Sequence, residues 1–299
     1  MSINWRGVMP AITTPFNEDL SIDHGFLAYH CRWLIDHGCT GIVSPGSLGE
    51  AATLTFEEKT SVLKTCIEAA GDRAPVIAGI SSLSTAEAVK LAQTAETLGC
   101  KGLMVLPPYV YCGDWREMSY HVGAILSATK LSSMLYNNPV AYGTDFLPEH
   151  IRQLSRDYPN LHAVKESSTD VRRVTAIRAL IGDWLSLFVG VDDAIVEGIS
   201  AGAVGWIAGL VNALPKESVA LFNYARNGET EKVFKVYRWF LPLLRMDTVP
   251  KFVQLIKLVQ SEVGMGNSRV RPPRLELTGS ELEEAKSTIR AALETRPTL

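Results

Sequence analysis

One lysine stands where lysines are rarely found. The stretch Leu161-His162-Ala163-Val164-Lys165-Glu166-Ser167-Ser168 ends a short apolar run on Lys165, at the point where the chain turns polar. Desolvating an ammonium is costly, so a lysine at the buried end of a strand tends to give up its proton. The neutral amine is a nucleophile that can attack a 2-oxo carbonyl and form a Schiff base, which draws electrons from the neighbouring carbon. The plainer reading pairs Lys165 with Glu166 or another carboxylate at the strand end. Other reactive groups also follow apolar runs. Ser44-Pro45-Gly46-Ser47-Leu48-Gly49-Glu50 is a glycine-punctuated turn whose N–H groups and Ser47 hydroxyl could cradle a carboxylate, although most such turns are only turns. Tyr136-Asn137-Asn138-Pro139 puts a phenol at a strand terminus, and Pro107-Pro108-Tyr109-Val110-Tyr111 offers two more. A phenol beside an amine or a hydroxyl can relay protons; otherwise it packs on the rim. His24, His30, His37, His121, His150 and His162 are scattered without ligand spacing, so no metal site is expected. His162, beside the lysine, reads as a packed or hydrogen-bonded histidine.

These residues need a frame that brings strand ends together. Apolar runs at 7–14, 40–45, 75–80, 102–106, 132–136, 161–165, 185–189 and 203–208 read as eight strands. Between them lie amphipathic segments such as 23–37, 56–70, 85–98, 115–129 and 171–181, with apolar residues recurring every three or four positions. Strand and helix in alternation imply parallel strands with right-handed crossovers. Eight units in 299 residues point to an α/β (β/α)8 TIM barrel, with the chemistry at the carboxyl ends of the strands. A doubly wound open sheet is the alternative; no Gly-x-Gly-x-x-Gly follows the first run. A wholly helical tail follows at 216–227, 230–245, 248–262 and 280–293, so the expected organisation is a barrel over 1–214 and a helical region over 215–299 packed on it. Phe234, Tyr237, Phe240, Leu241 and Leu244 read as core contacts of that extension.

Composition narrows the function classes. With 46% hydrophobic and 20% charged residues the chain has ordinary globular character, and a net charge of -3 gives no basic field for nucleic acid or an anionic membrane. A small-molecule partner is favoured. The five cysteines, Cys31, Cys39, Cys66, Cys100 and Cys112, lack Cys-x-x-Cys spacing and suit reduced thiols in the cytoplasm, with Cys112 the exposed one. The start of the chain lacks a charged-then-apolar signal pattern and no apolar run approaches the ~18 residues of a membrane span, so a cytoplasmic protein is expected.

The turn Gly46-Ser47-Leu48-Gly49-Glu50 after the second strand, Tyr136-Asn137-Asn138-Pro139 after the fifth and Lys165-Glu166-Ser167 at the end of the sixth, in that order on eight units, resemble the dihydrodipicolinate synthase and N-acetylneuraminate lyase family. The likeness covers nearly the whole chain, including 7–16, Gly190-Val191-Asp192-Asp193, Gly205-Trp206-Ile207 and the helical tail. It implies that Lys165 is the Schiff-base lysine, Tyr136 the acid/base phenol, and Ser47 the hydroxyl linking Tyr136 to a second tyrosine from a neighbouring subunit, at Tyr109 or, failing that, Tyr111. It places the 2-oxo acid carboxylate on the amides of Ser47 and Leu48, adds Asn138 and Ile207 as substrate contacts, requires no cofactor, and implies a homo-oligomer built as a dimer of dimers.

Two departures bear on the substrate. Where the lysine-precursor synthase has a second hydroxyl residue, this chain has Leu48. Where that synthase has an arginine for the carboxylate of its incoming aldehyde, this chain has Ala141 in Pro139-Val140-Ala141-Tyr142. A lost charge-assisted bond is worth about 1.5–3 kcal/mol, tenfold or more in binding. The synthase activity is therefore disfavoured, and the neuraminate lyase activity is disfavoured too, because those lyases usually show a different pattern after the lysine and fewer apolar residues facing the sugar tail. The remaining relatives expel a group from a 2-oxo acid through the same imine. Tyr136-Asn137-Asn138-Pro139, Met246-Asp247-Thr248-Val249-Pro250-Lys251 and the stretch 269–275 look most like the deaminase of Δ1-pyrroline-4-hydroxy-2-carboxylate, a cyclic imine; a 2-keto-3-deoxy sugar acid dehydratase or aldolase is the alternative. A sugar-acid-binding pseudoenzyme would have lost Lys165 or Tyr136, and a metal-dependent aldolase would need clustered ligands.

Overall fold

A parallel sheet covered on both faces demands strands that are apolar throughout, and the eight apolar runs supply them. In the computed structural model, which describes residues 3–108 and 111–299, the runs form β1 (Gly7–Pro10), β2 (Ile42–Ser44), β3 (Val76–Ile80), β4 (Gly102–Val105), β5 (Ser132–Asn137), β6 (Leu161–Glu166), β7 (Ser186–Val189) and β8 (Gly205–Ala208). The eight strands pair with one another in parallel, and the order β1-β8-β7-β6-β5-β4-β3-β2 returns towards its start. The ring closes between β1 and β2 through a parallel bridge of Ala11 with Val43, where the Ile12 N–H donates to the Val43 carbonyl at 3.0 Å. The architecture is a (β/α)8 barrel. The first strand is shorter than its apolar run, because beyond Pro10 the chain pairs only through the single Ala11 bridge to β2.

Helices α1 (His24–Asp36), α2 (Phe56–Ala70), α3 (Thr85–Leu98), α4 (Trp115–Ser127), α5 (Pro139–Tyr142), α6 (Pro148–Asp157), α7 (Arg172–Ile181) and α8 (Ile195–Ser200) lie between the strands. Reciprocal capping boxes start two of them, Thr55 with Glu58 on α2 and Asp114 with Glu117 on α4. Helices α9 (Pro215–Arg226), α10 (Thr230–Leu244), α11 (Phe252–Glu262) and α12 (Gly279–Glu294) follow β8. Helix α9 packs on β1 and α8, and the others extend from it. The apolar core runs without a break from the barrel through Leu221, Phe240 and Val253 to Ile289. Tyr237, Phe240 and Leu244 are buried in it and Leu241 packs against it, but Phe234 is 46% exposed, so this position of the α10 stripe faces outward. Helix α11 begins at Phe252 rather than 248, which leaves 248–251 as a turn. That turn reaches the site.

The extension is fastened to the turn after β2. Lys257 Nζ of α11 pairs with Glu50 Oε1 at 2.6 Å, both side chains fully enclosed, and also donates to the Arg269 carbonyl at 2.6 Å. Glu50 Oε2 accepts from the Arg271 N–H at 2.9 Å. Glu50 itself is held at φ 56°, a left-handed conformation that a non-glycine residue adopts at a cost its surroundings must offset. Among the described residues no helix is long and apolar enough to cross a membrane.

Candidate active site

Strand alternation decides which groups share the barrel mouth. Lys165 and Tyr136 are register partners on β6 and β5, so their side chains point to the same face. Glu166, one residue on, points the other way. It accepts from Asn137 Nδ2 at 3.0 Å and from the Ser168 N–H at 2.6 Å, so the pairing of Lys165 with Glu166 does not form. The Lys165 Nζ lies 4.0 Å from the centroid of the Tyr136 ring, 6% exposed. Gly190, beyond β7, makes room for it: a Cβ there would stand 2.4 Å from Lys165 Cε. Burial pulls the amine pKa down to about 8, while the carboxylates of Asp247 and Asp192 hold it up. At neutral pH a useful fraction of Lys165 is therefore a free amine.

Burial acts on Tyr136 in the opposite sense and raises its phenol to about 12, so it stays protonated at neutral pH. Its Oη accepts from Asn138 Nδ2 at 3.0 Å. Asn138 also caps α5 by accepting from the Ala141 N–H at 3.0 Å, with Pro139 preset for the first turn and Gly143 ending it at φ 69°. This single turn swings Tyr142 back over the cavity. Its ring meets Tyr136 edge-on at 5.8 Å between centroids and 86° between planes, and its hydroxyl bonds to Ser47 Oγ.

A phenol of the same chain, Tyr142, thus stands beside Ser47 and Tyr136. Tyr109 lies outside the described residues. Tyr111 is 58% exposed and shares a surface depression with Leu83 and Tyr120, away from Lys165. Tyr142 was within view of the sequence, in the stretch that carries Ala141, but nothing in spacing announces which way one helical turn will point.

The cavity that joins these groups holds about 470 Å3, the size of a small-molecule site. Ser47, Leu48, Asn138 and Ile207 all line it. The amides of Ser47 and Leu48 donate to no acceptor among the described residues, because the turn is closed instead by the Glu50 and Ala51 N–H groups, which bond to the Ser47 and Gly46 carbonyls at 3.1 Å. Val140 and Ala141 form an apolar part of the wall.

Two carboxyls stand close to the amine. Asp192 is fully enclosed and accepts from Trp206 Nε1 at 2.9 Å, from the Gly209 N–H at 3.1 Å and from the Leu210 N–H at 2.8 Å; burial still raises it to about 6. Asp247 comes from the extension and lines the cavity with Thr248, Val249 and Arg274. The tail that sequence reasoning treated as packing is one wall of the site. His162 is exposed on the outside of the barrel and bonds through Nδ1 to Ser132 Oγ at 2.7 Å.

Known proteins share this sequence pattern and fold. The model of the dihydrodipicolinate synthetase family matches residues 4–292. A 4-hydroxy-tetrahydrodipicolinate synthase of Mesorhizobium japonicum is 33% identical over 285 residues, covering 94% of this chain and 97% of its own, and one of Bartonella quintana is 32% identical over 290 residues, covering 96% and 97%. The solved synthase of the methanotroph Methylacidiphilum fumariolicum SolV superposes with a TM-score of 0.93 at 28% identity over 97% of this chain and 96% of that one. The chain belongs to the dihydrodipicolinate synthetase family and is an enzyme of its lyase and aldolase type.

Proposed function

We propose that this enzyme forms a Schiff base between Lys165 and a small 2-oxo acid or its cyclic imine and uses that imine to expel a hydroxyl group, with Δ1-pyrroline-4-hydroxy-2-carboxylate as the favoured substrate. The observation that carries the first half is the desolvated Lys165 amine lying on the Tyr136 ring inside the cavity. The substrate carboxylate rests on the unengaged amides of Ser47 and Leu48, with Asn138 and Ile207 beside it. Neutral Lys165 attacks C2, and the resulting iminium makes the C3 proton acidic. That proton leaves through Tyr136, whose Oη exchanges it along the chain to Tyr142 and Ser47. The C4 hydroxyl departs, and hydrolysis releases ammonia and a 2-oxoglutarate semialdehyde. The exposed aromatic and aliphatic side chains of Leu83, Tyr111 and Tyr120 offer a face for a homo-oligomer, in which Tyr109 of a neighbour would be the further hydroxyl at Ser47.

The elimination reading rests on Ala141, which leaves no cation on that wall for the distal carboxylate of an incoming aldehyde. One observation favours the second reading, condensation as in the named relatives: Arg274 lines the same cavity and makes no ion pair among the described residues. A substrate panel separates the two. The wild type is expected to release ammonia from the cyclic hydroxy-imine and not to condense pyruvate with aspartate semialdehyde, while Ala141→Arg is expected to acquire weak condensation because a guanidinium supplies the bidentate partner. Efficient condensation by the wild type that is lost in Arg274→Ala would establish the second reading instead.

A further inference from the structure

The environment of Asp247 carries an assignment that deepens the elimination reading and rests on it. We propose that Asp247 is the catalytic acid of this site, handing its proton to the hydroxyl that leaves C4 of the substrate. Asp247 ends the single turn Arg245–Asp247 that follows α10, and its side chain enters the cavity lined by Lys165 and Tyr136. It passes so close to Gly209 that a Cβ there would stand 2.0 Å from Asp247 Oδ1. Gly209 has an ordinary φ of -93°, so a glycine is needed at this position for space rather than for backbone freedom.

The fully enclosed carboxylates Asp192 and Glu50 show what a structural role looks like. Asp192 accepts from an indole and two backbone amides, and Glu50 from an ammonium and a backbone amide. Asp247 accepts no hydrogen bond and forms no ion pair among the described residues, although Lys165 is near enough for each to shift the other's protonation. Asp247 is half-buried at the cavity wall, and protonation relieves the cost of a partly desolvated carboxylate that no protein donor meets. Burial and the neighbouring Asp192 and Asp193 push the Asp247 carboxyl well above the usual carboxylate range, and Lys165 opposes them only in part. Asp247 therefore holds a proton more readily than an exposed carboxylate does, at the wall that faces the substrate.

The reaction needs such an acid. Once the C3 proton has gone, the electron pair returns from the enamine, the C3=C4 double bond forms and the C4–O bond breaks. Hydroxide is a poor leaving group, so the Asp247 O–H bond breaks in the same step and water departs, with no oxidant or reductant involved. Asp247 is left as a carboxylate and recovers its proton from solvent. A phenol near 12 is a far weaker donor than a carboxylic acid, and Tyr142 is engaged with Ser47. Two acid/base groups pushed to different pKa values divide the work, Tyr136 at C3 and Asp247 at the C4 oxygen.

The test compares leaving groups in full-length Asp247→Asn. Trapping of the pyruvate imine on Lys165 by borohydride is expected to persist, which shows an intact fold and nucleophile. Elimination from the cyclic 4-hydroxy imine should fall by roughly 10²-fold or more, while elimination from its 4-fluoro counterpart should change little, because fluoride leaves without a full proton. Should Asp247→Asn not fold, Gly209→Ala, which displaces the carboxyl, is expected to show the same selective loss. An equal fall for both leaving groups means a structural role and overturns the assignment. Unchanged hydroxyl elimination overturns it as well. Elimination of neither group by the wild type would defeat the elimination reading and the assignment together, and is thereby told apart from a failure of Asp247 alone.

Discussion

The pH dependence of imine trapping tests the central physical claim, that burial converts Lys165 into a nucleophile. An amine with a pKa of about 8 is neutral in about one molecule in ten at pH 7, whereas one at 10.5 is neutral in about one in three thousand. Labelling of Lys165 by pyruvate and borohydride should therefore be roughly 300-fold faster at pH 7 than expected of an exposed lysine of equal intrinsic reactivity. The neutral fraction rises as pH rises, by about fifty-fold from pH 6 to pH 8, and gains only about twofold more above that. The assay is mass spectrometry of the Lys165 peptide after short pulses across pH 6 to 10, with Lys165→Ala as the blank. The expected profile bends near 8 and then levels. A rate that climbs without a bend to pH 10 would mean that the amine keeps its ordinary affinity for the proton, and labelling of Lys165→Ala as strong as in the wild type would place the nucleophile elsewhere.

Two further outcomes are expected. Tyr136→Phe should still trap the imine yet turn over roughly 10²–10⁴-fold more slowly, as for a missing acid/base group; a protein that no longer folds would show instead that the phenol is chiefly a packing element. Lys257→Met leaves the enclosed Glu50 without its partner and should cost about 3–5 kcal/mol in chemical denaturation, with a matching loss of pyruvate binding as the Ser47–Leu48 turn loosens. Wild-type stability in that variant would show that Arg271 alone holds the turn.

What the sequence determined by itself is local in origin. Apolar runs alternating with amphipathic segments specify a parallel barrel, because each pattern has its own period and neither can serve as the other. Lys165 and Tyr136 were legible for the same reason, since a polar, reactive side chain that closes an apolar run must sit at a strand end. Tertiary structure decided the rest. The β5–β6 register, not the sequence, sets the amine over the phenol and turns Glu166 away. Tyr142 reaches Ser47 across 95 residues through one helical turn whose direction depends on what it packs against. Asp247 joins Lys165 only because α10 and α11 fold back over the barrel mouth, and Phe234 faces outward because a helical stripe does not say where its covered face ends. Contacts between residues far apart in the chain follow from how whole elements pack, and no local pattern of residues carries that information.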